Sequence, residues 1–444
     1  MSSFLFAVVA VASLLLLVHG LCSLYLMLYS WQHPDRLEAS RGPETFTTPW
    51  VSFSVLLPAR HEEAVIGNTI RSIVTSRYPR NLIEVLVICE RGDQSTITEA
   101  KRAIADIATE NVRILTFNHG RINKPHALNV GLQHCTNDIV CIFDAEDDIH
   151  PDIFNLANTV VLKEKVVVVQ LGVQLMNFLQ HWFSLHNCVE YFLWFKSRLH
   201  LHARMGMIPL GGNTVFIRRE LLEELGGWDE DCLTEDAEMG VRLSILGHRI
   251  RVVYDPSRVT REETPHSLGG LMRQRTRWQQ GFIQVLRKRE WTNLPLRRQR
   301  WLAAYTFSQP LLDACLVLLI PASIVELVTL KLPLLVAMVS FLPIYTFAMQ
   351  MVVTIASAAY LTREHAVRTP WLTLARMSLT FGPYQFVLAI SALRAVIREV
   401  VGSNNWEKTA HTGAHRSLIQ IEDAGSALAM TPSAPPDPFS KEVA

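Results

Sequence analysis

A run of carboxylates follows an apolar stretch near the middle of the chain. Residues 139–143 read IVCIF, and the next nine residues contain Asp144, Glu146, Asp147, Asp148 and Asp152. Carboxylates this close together repel one another and raise one another's pKa unless a positive group neutralises them. The stretch is therefore either a solvated turn or a site for a divalent cation, which prefers hard oxygen ligands. Asp144 and Glu146 have a spacing from which both can approach one ion.

A second group of acids lies at residues 233–240, LTEDAEMG. One of its carboxylates, in Glu235, Asp236 or Glu238, could act as a general base that takes a proton from a hydroxyl group. The alternative is structural, because Thr234 would cap a helix and acids in the first turn would interact favourably with the helix dipole. This stretch alone supports both interpretations.

Three arginines and a tryptophan occur in residues 271–281, LMRQRTRWQQG. The guanidinium groups of Arg273, Arg275 and Arg277 are suited to a diphosphate, and the ring of Trp278 offers an aromatic face to a sugar. A basic patch that contacts anionic lipid headgroups would also explain the arginines. It would not explain the specific order of the residues.

The elements that must position these groups alternate between strands and helices. Apolar runs predict strands at 51–59, 83–89, 112–117 and 138–144, and helical spacing predicts helices at 62–76, 97–110 and 124–135. Continuous apolar strands that alternate with helices are typical of a parallel, doubly wound α/β sheet. Ligands of such sheets bind beyond the carboxyl ends of the strands. Glu90, Asp93 and Asp144 would meet there in one site.

Charge and cysteine content exclude some classes of function. The chain has 444 residues, with 42 Lys and Arg against 41 Asp and Glu, so its formal net charge is only +1. This balance gives no global basic field, and we expect no nucleic-acid partner. The seven cysteines show no CxxC pairing and indicate neither a disulfide framework nor a zinc site. They favour a reduced compartment.

Apolar segments predict attachment to a membrane. Residues 4–30 contain no Lys, Arg, Asp or Glu and are long enough to span a bilayer, which takes about 20 helical residues. A cleaved signal peptide would have a basic start and a small-residue cleavage site, and both are missing. Residues 302–330 and 334–361 predict a transmembrane hairpin. Residues 371–393 contain a central Gly-Pro and predict a broken span, a re-entrant segment or an interfacial helix.

Basic residues that flank the apolar segments predict their orientation. Arg36 and Arg41 follow the first span and LRRQRW precedes the second, so the positive-inside rule places residues 31–300 in the cytoplasm. We therefore expect an integral protein of the plasma membrane. The predicted units are an anchor (1–30), a linker (31–50), a cytosolic domain (51–295), membrane or interface helices (296–400), a WEKT-containing segment (401–416) and a disordered tail (417–444).

Several short motifs together resemble the processive type of membrane-bound family-2 glycosyltransferases, which includes cellulose, chitin and hyaluronan synthases and ceramide glucosyltransferase. The matching pieces are LPARHEE at 57–63, KPHALNVG at 124–131, DAED at 144–147, TED at 234–236, QRTRW at 274–278 and NWEKTAHTG at 405–413. QRTRW matches the family's Gln-x-x-Arg-Trp signature. The pieces occur in the family's order over about residues 50–415. The resemblance implies a Rossmann-like α/β domain of the GT-A type, a nucleotide-diphospho-sugar transferase fold, with transmembrane helices.

The resemblance also implies which residues bind the donor. The nucleotide sugar is expected at the end of the first strand, after the second strand and at the start of the third helix. The residues at these places are Pro58, Ala59, Arg60, Glu62, Glu90 and Lys124. Asp93 is the alternative to Glu90, because the chain has CERGD where many family members have paired aspartates. Asp144 and Glu146 match the metal-binding Asp-x-Asp, with glutamate in the second place, and are expected to hold Mg²⁺ or Mn²⁺.

The remaining motifs imply the acceptor side of the site. Asp236 matches the base that deprotonates the acceptor hydroxyl, and Arg277 matches the arginine that holds the diphosphate. Glu235, Gln274 and Trp278 are expected to contact the acceptor or product.

The function that the resemblance implies is an inverting, metal-dependent transfer of a sugar from a UDP-sugar. The acceptor is expected to be a hydroxyl group of a growing β-linked polysaccharide or of a membrane acceptor. A non-processive synthase that adds one sugar to a lipid is the alternative, and a non-catalytic membrane scaffold is a remote one. Expected partners are the donor, the acceptor and membrane lipids, with a homo-oligomer or a secretion partner left open. No G-x-G-x-x-G follows the first strand, which argues against a dinucleotide-dependent oxidoreductase.

Overall fold

The computed structural model of the protein describes residues 2–329, 334–407, 412, 413, 415 and 416. An α/β domain built on a mixed sheet forms its centre, and long helices precede and follow this domain. The predicted disordered tail, 417–444, and residues 330–333, between the two arms of the predicted hairpin, lie outside the described residues.

Two helices precede the sheet, α1 (Ser2–Leu28) and the short α2 (Pro34–Ala39). α1 is mostly apolar in sequence and contains one histidine, His19. Together with the turn that follows, it forms the segment Ala10–Trp31, which is long and apolar enough to cross a membrane by length and composition.

The first half of the sheet consists of four strands, β1 (Phe53–Ala59), β2 (Ile83–Glu90), β3 (Val112–Phe117) and β4 (Ile139–Ile142). They lie parallel in the order β3-β2-β1-β4, with Phe53 beside Ile83 on one side and beside Ile139 on the other. The four predicted strands and their parallel direction are confirmed. β1, β2 and β4 are almost wholly buried, as expected when helices cover both faces of a sheet.

Three helices join these strands, α3 (Ile66–Val74), α4 (Gln94–Ile107) and α5 (Lys124–Leu132), and α6 (Ile153–Glu164) follows β4. Successive strand residues point to opposite faces, so two cores form. Val55 and Val85 belong to the core with α3 and α4, whereas Leu56 and Leu86 belong to the core with α5. Asn123 caps α5 by accepting a hydrogen bond from the backbone N–H of His126, which fixes where Lys124 begins the helix.

The second half of the sheet corrects the prediction of a wholly parallel arrangement. The remaining strands are β5 (Val168–Leu171), β6 (Val173–Leu175), β7 (Val215–Arg218), β8 (Ile250–Val253) and β9 (Thr260–Glu262). The large sheet has the order β3-β2-β1-β4-β7-β5-β8, and β7 runs antiparallel to both β4 and β5. The chain enters β7 at the carboxyl end of β4, where Thr214 N–H donates to the Ile142 carbonyl, so β7 must run back.

A small second sheet supports the acidic loop. β6 and β9 pair in parallel, with Val173 beside Thr260. Asp148, in the loop after β4, exchanges two backbone hydrogen bonds of 2.9 Å with Arg261 of β9. The acidic loop is therefore attached to the sheet by its backbone.

Residues 184–205, which are rich in aromatic residues and histidines, form a continuous helical segment. It consists of α7 (Ser184–Leu193), a π-helical turn (Trp194–Arg198) and α8 (Leu199–Met205). The Ser197 hydroxyl donates to the Leu26 carbonyl of α1 at 2.9 Å. Apolar residues of α7 also join the core that contains β6. The segment thus connects the α/β domain to α1.

The remaining helices are α9 (Arg219–Glu224), α10 (Glu235–Ile245), α11 (Leu268–Lys288), α12 (Arg297–Thr329), α13 (Leu334–Glu364) and α14 (Trp371–Val401). Helices occupy both predicted arms of the hairpin. Within α13, residues Phe341–Glu364 are long and apolar enough to cross a membrane. They and the segment in α1 are the two such segments among the described residues.

α14 differs from the predicted broken or re-entrant segment, because it is one unbroken helix of 31 residues that passes through Pro383. Proline inside a helix costs about 3 kcal/mol by removing a hydrogen bond and crowding the preceding turn. α14 packs closely against both α11 and α12, and this tertiary packing offsets that cost. The prediction of an interfacial helix concerns its place relative to a membrane and stays a prediction.

Candidate active site

The acidic loop after β4 is ordered by one buried carboxylate. Asp147 is fully buried, and its Oδ2 accepts a hydrogen bond from the backbone N–H of Asp144 at 2.8 Å. Asn213 donates to both oxygens of Asp147, at 3.1 and 3.2 Å. Burial, and then the nearby carboxylates of Glu262, Asp144 and Glu146, raise the pKa of Asp147 well above its usual value.

Lys124, the first residue of α5, lies between the two groups of acids. Its Nζ donates to the carboxylate of Asp144 and, at 2.8 Å, to the carbonyl of Gly212. Burial by itself lowers the pKa of Lys124, but the charges of Asp144, Glu235 and Asp236 outweigh burial and raise it. Lys124 therefore stays protonated and supplies the positive charge that the sequence pattern requires.

The TED motif lies opposite Lys124, at the start of α10. Asp236 Oδ1 accepts a hydrogen bond from the backbone N–H of Ala237 at 2.8 Å. Burial raises the pKa of Asp236, and burial together with the charge of Asp236 raises the pKa of Glu235. Thr234 precedes the helix but its side chain makes no capping hydrogen bond. The motif thus forms the first turn of a helix while its acids face Lys124.

Two glycines allow the site to close around these groups. A Cβ at Gly212 would lie 3.2 Å from Asp236 Oδ2 and 3.4 Å from Lys124 Nζ, which is tighter than most real contacts. A Cβ at Gly281 in α11 would lie 2.7 Å from the backbone nitrogen of Thr234. The approach at Gly281 requires the missing side chain because the neighbour is backbone, whereas at Gly212 the side chains of Asp236 and Lys124 would have to shift slightly.

The QRTRW motif lies on α11 beside the TED motif. Arg277 donates to the carbonyl of Glu407 at 2.9 Å, and its guanidinium carbon lies 4.5 Å from the ring centroid of Trp406. The sequence pieces QRTRW and NWEKT are thus joined in space. The Trp278 ring lies 4.8 Å from the Arg275 guanidinium carbon. Residues 408–411 of the second piece lie outside the described residues.

A cavity of about 960 Å³ brings the predicted residues together. Its lining includes Pro58, Ala59, Arg60, Glu62, Glu90, Lys124, Asp144, Glu146, Glu235, Asp236, Gln274, Arg277 and Trp278. Asp93 is not part of the lining. Its carboxylate instead accepts hydrogen bonds from the backbone N–H groups of His61, at 2.6 Å, and of Thr96, where it caps α4.

Two residues of the site, Arg416 and Glu262, could not be predicted from the sequence pattern. The guanidinium of Arg416 donates to the carbonyls of Glu146, at 3.0 Å, and of Asp147, at 2.8 Å. It also donates to the Thr69 hydroxyl at 2.7 Å. Glu262 of β9 lines the cavity and bonds to Asn213. Both residues come from segments far along the chain, and only folding places them at the acidic loop.

The donor set suits a hard divalent cation. Among the described residues, no group of three or more His, Cys, Asp or Glu side chains is arranged to hold a metal ion without other ligands. Asp144 and Glu146, however, present two carboxylates to the cavity. Mg²⁺ commonly binds through one or two carboxylates together with substrate phosphates. The residues present therefore fit a metal that is bound together with a diphosphate.

The sequence and the fold are similar to those of known proteins. Residues 49–281 match the family described as glycosyltransferase like family 2. The chain is 28% identical over 236 residues to a beta-monoglucosyldiacylglycerol synthase of Trichormus variabilis, covering 52% of this chain and 49% of that protein. It is 24% identical over 250 residues to the poly-beta-1,6-N-acetyl-D-glucosamine synthase of Staphylococcus epidermidis, covering 55% and 58%. The matched region thus spans about half the length of these curated relatives.

One solved structure is similar to this protein over most of the length of both chains. The mannosyltransferase PcManGT of Pyrobaculum calidifontis, in complex with GDP-Man and Mn²⁺, aligns with a TM-score of 0.58 at 19% identity. The alignment covers 89% of this chain and 99% of that one. At this identity the similarity shows the fold.

Proposed function

The chain belongs to the glycosyltransferase like family 2 and has a GT-A fold, and from this premise we propose which reaction it catalyses. It transfers a sugar from a nucleotide-diphosphate sugar, with a UDP-sugar as the expected donor, to a hydroxyl group of a membrane-associated acceptor. The transfer is a single displacement that inverts the anomeric configuration. An α-linked donor then gives a β-linked product.

The observation that carries this proposal is the position of Lys124 between two acidic motifs. Lys124 contacts Asp144 and the Gly212 carbonyl, and the charges of Glu235 and Asp236 raise its pKa. A fixed ammonium group can stabilise the negative charge of a departing diphosphate. A carboxylate on the opposite side of the same cavity can accept a proton. The arrangement therefore suits a reaction with an anionic leaving group and a hydroxyl nucleophile.

Asp236 is the proposed general base. The acceptor oxygen forms a bond to the anomeric carbon while its proton moves to the Asp236 carboxylate, and the bond from the anomeric carbon to the diphosphate oxygen breaks. The raised pKa of Asp236 makes it a stronger base than an exposed aspartate, and Lys124 favours its ionised form at the start of the reaction. Arg277 lies in the same cavity and is placed to contact the leaving diphosphate.

Asp144 and Glu146 are the proposed ligands of Mg²⁺ or Mn²⁺. When bound, the ion supplies positive charge to the diphosphate oxygens. Asp147 holds the loop that carries both ligands through its hydrogen bond with the Asp144 N–H. The nucleoside end of the donor is assigned to the cavity wall at Pro58, Ala59 and Glu90.

The proposed setting is a membrane, with the α/β domain on its cytoplasmic side. The apolar segments Ala10–Trp31 and Phe341–Glu364 support this proposal by length and composition. The proposed acceptor is either a growing β-linked polysaccharide or a single membrane lipid. Relatives named as a poly-beta-1,6-N-acetyl-D-glucosamine synthase and as a beta-monoglucosyldiacylglycerol synthase support the first and the second alternative, respectively.

The test is a donor screen on purified protein in lipid vesicles. UDP-glucose, UDP-N-acetylglucosamine, UDP-galactose and GDP-mannose are each supplied with Mn²⁺, with Mg²⁺ or with a chelator, and nucleotide release and product size are measured. We expect metal-dependent release from one UDP-sugar by the wild-type protein and by Asp231→Asn, whose carboxylate is exposed outside the cavity. We expect none from Asp236→Asn. Equal release by Asp236→Asn would overturn the base assignment.

A further inference from the structure

Positive charge is concentrated in the segment that ends α11 and begins α12. Residues 286–301 read LRKREWTNLPLRRQRW and contain six Lys and Arg against one Glu, whereas the whole chain has a formal net charge of only +1. None of these residues lines the cavity that contains Lys124 and Asp236. The proposed chemistry therefore does not explain this charge.

The basic residues at the end of α11 are paired with acids. Arg287 lies 2.7 Å from a carboxylate oxygen of Glu399, and Lys288 forms an ion pair with Asp229. These two side chains hold α11 to α14 and to the loop before α10. Their charge is used within the protein.

The arginines at the start of α12 have no such partners. Arg297, Arg298 and Arg300 are exposed, and no salt bridge within the described part of the chain involves them. Arg300 donates to the carbonyl of Leu294 at 2.6 Å, which leaves its charge unpaired. Positive side chains in the first turn of a helix are unfavourable to that helix, because its dipole is positive there. Helix stability does not account for these three arginines.

A fourth arginine, at the end of α8, extends the same surface. Gln299 Nε2, in the first turn of α12, donates to the carbonyl of Gly206 at 2.9 Å, so the end of α8 lies against the start of α12. Arg204 is exposed two residues before Gly206, and no salt bridge of a described residue involves it either. We refer to Arg204, Arg297, Arg298 and Arg300 as the basic surface.

Exposed apolar side chains accompany the basic surface on α12. Leu296 is 45% exposed and Trp301 is 76% exposed. The apolar segment that is predicted to span a membrane, 302–330, begins directly after Trp301. Tryptophan is enriched at the level of the lipid headgroups, next to the ends of membrane spans. This composition is typical of a protein surface that meets the bilayer interface.

Packing also places the basic surface beside the end of the first apolar segment. Leu201 of α8 forms an apolar cluster with Leu26 and Tyr29 of the segment Ala10–Trp31, and Tyr305 of α12 packs against this cluster. α8 and the beginning of α12 thus adjoin the place where the first apolar segment ends. In the proposed membrane setting, this is the level of the cytoplasmic headgroups.

We propose that the basic surface binds the phosphate groups of anionic phospholipids, such as phosphatidylglycerol, in the leaflet that faces the α/β domain. Guanidinium groups donate paired hydrogen bonds to phosphate oxygens. Each basic residue near such a membrane surface strengthens binding about fivefold. Trp301 and Leu296 favour a lipid over a soluble phosphate, because an acyl chain or the bilayer interface can cover their exposed apolar surface. This inference goes beyond sugar transfer and takes only the membrane setting from the proposed function.

The test is a measurement of lipid affinity that needs no turnover. The full-length protein is purified in an uncharged detergent until native mass spectrometry detects no bound lipid, and it is then titrated with dioleoyl phosphatidylglycerol or with dioleoyl phosphatidylcholine. The two lipids have the same acyl chains and differ in the net charge of the headgroup. The dissociation constant of the first bound lipid is measured for each. Glycerol 1-phosphate is added as a competitor without acyl chains.

Two variants that each lose three exposed positive charges are compared. The test variant carries Arg297→Gln, Arg298→Gln and Arg300→Gln. The matched control carries Arg80→Gln, Lys101→Gln and Lys163→Gln. Two of the control positions belong to α4 and α6, which cover the face of the large sheet opposite to α7.

We expect the wild-type protein and the control variant to bind phosphatidylglycerol more tightly than phosphatidylcholine. The test variant should bind phosphatidylglycerol about tenfold or more weakly and should bind phosphatidylcholine as the wild type does, which also shows that it is folded. Arg204→Gln, on a separate helix, should lose about fivefold in affinity for phosphatidylglycerol.

Three results would overturn the inference. The first is equal affinity of the wild-type protein for the two lipids, and the second is equal affinity of the test and control variants for phosphatidylglycerol. The third is displacement of phosphatidylglycerol by an equal concentration of glycerol 1-phosphate, which would assign the arginines to a soluble phosphate. None of them affects the proposed sugar transfer, which fails separately if the wild-type protein releases nucleotide from no donor.

Discussion

Lys124 and Asp144 form an ion pair whose lysine is also anchored by the backbone of another segment. The Lys124 ammonium group donates to Asp144, at the end of β4, and to the carbonyl of Gly212, in the loop that leads into β7. Its side chain is 14% exposed and that of Asp144 is 29% exposed. The pair therefore joins three parts of the chain at the edge of the cavity where the donor diphosphate is proposed to bind.

Replacing Lys124 by alanine should weaken donor binding and turnover together. The substitution removes the ammonium group that neutralises Asp144, Glu235 and Asp236, so the mutual repulsion of these carboxylates increases. Removing one preorganised charge at a leaving group typically costs roughly 100- to 1,000-fold in turnover. Steady-state nucleotide release measures the effect, and Lys163→Ala, at an exposed position of α6, is the control. Wild-type kinetics in Lys124→Ala would contradict its assignment.

Replacing Asp236 by asparagine should abolish transfer and preserve donor binding. The amide keeps the shape of the side chain but cannot accept the proton, and general-base catalysis contributes roughly 100- to 10,000-fold. Calorimetric titration with UDP should give the wild-type affinity, while sugar transfer falls by that factor. If UDP affinity fell as much as turnover, Asp236 would have a binding role instead.

As the pH is lowered, the rate of transfer should fall at a higher pH than it would if the general base were an aspartate with an ordinary pKa. Burial raises the pKa of Asp236 above its usual value of about 3.9, so the carboxyl takes up its proton sooner as the pH falls. Activity is then complete above the raised pKa and is lost as the pH drops through it. A pH profile of turnover at saturating donor and metal tests this. A rate that stayed constant down to about pH 4 would exclude Asp236 as the base.

Replacing Glu146 by aspartate should raise the metal requirement less than replacing it by glutamine. Glu146→Asp restores the usual Asp-x-Asp pattern and retains a carboxylate, whereas Glu146→Gln removes one of the two proposed charged ligands. We expect the Mn²⁺ concentration for half-maximal activity to rise about tenfold or more in Glu146→Gln, and less in Glu146→Asp. Equal metal requirements in wild type and Glu146→Gln would show that residue 146 is not a ligand.

Arg416 should stabilise the acidic loop, because its guanidinium group donates hydrogen bonds to the backbone of the loop. Its guanidinium donates to the carbonyls of Glu146 and Asp147 and to the Thr69 hydroxyl, and truncation leaves these acceptors without that donor. We expect Arg416→Ala to lower the free energy of unfolding by about 1–3 kcal/mol and to raise the metal requirement. Arg80→Ala, at an exposed position, is the control for both measurements. An unchanged metal requirement would limit Arg416 to a role in stability.

Local patterns were sufficient to predict much of the α/β domain. The predicted strand 112–117 coincides with β3, Val112–Phe117, because a short apolar run between polar turns determines both ends. The third helix begins at Lys124 as expected, because Asn123 caps it from within its own sequence. The predicted helix 62–76 was too long by several residues at its start. α3 begins only at Ile66, because Glu62 to Val65 form a turn. The backbone N–H of Glu62 in this turn donates to the hydroxyl of Thr96 in α4.

The sequence by itself indicated the family through the resemblance of its motifs, and it indicated the acids and basic residues around Lys124 and Asp236, because each motif is a short continuous stretch of the chain. Only the tertiary structure decided the direction of β7, the continuity of α14 through Pro383, and the place of Arg416 beside Glu146. Each of these depends on contacts between residues far apart in the chain. The apolar pattern of a buried strand is the same whether the strand is parallel or antiparallel to its neighbours. The cost of a proline inside a helix is offset by packing against other helices, which a sequence pattern does not reveal.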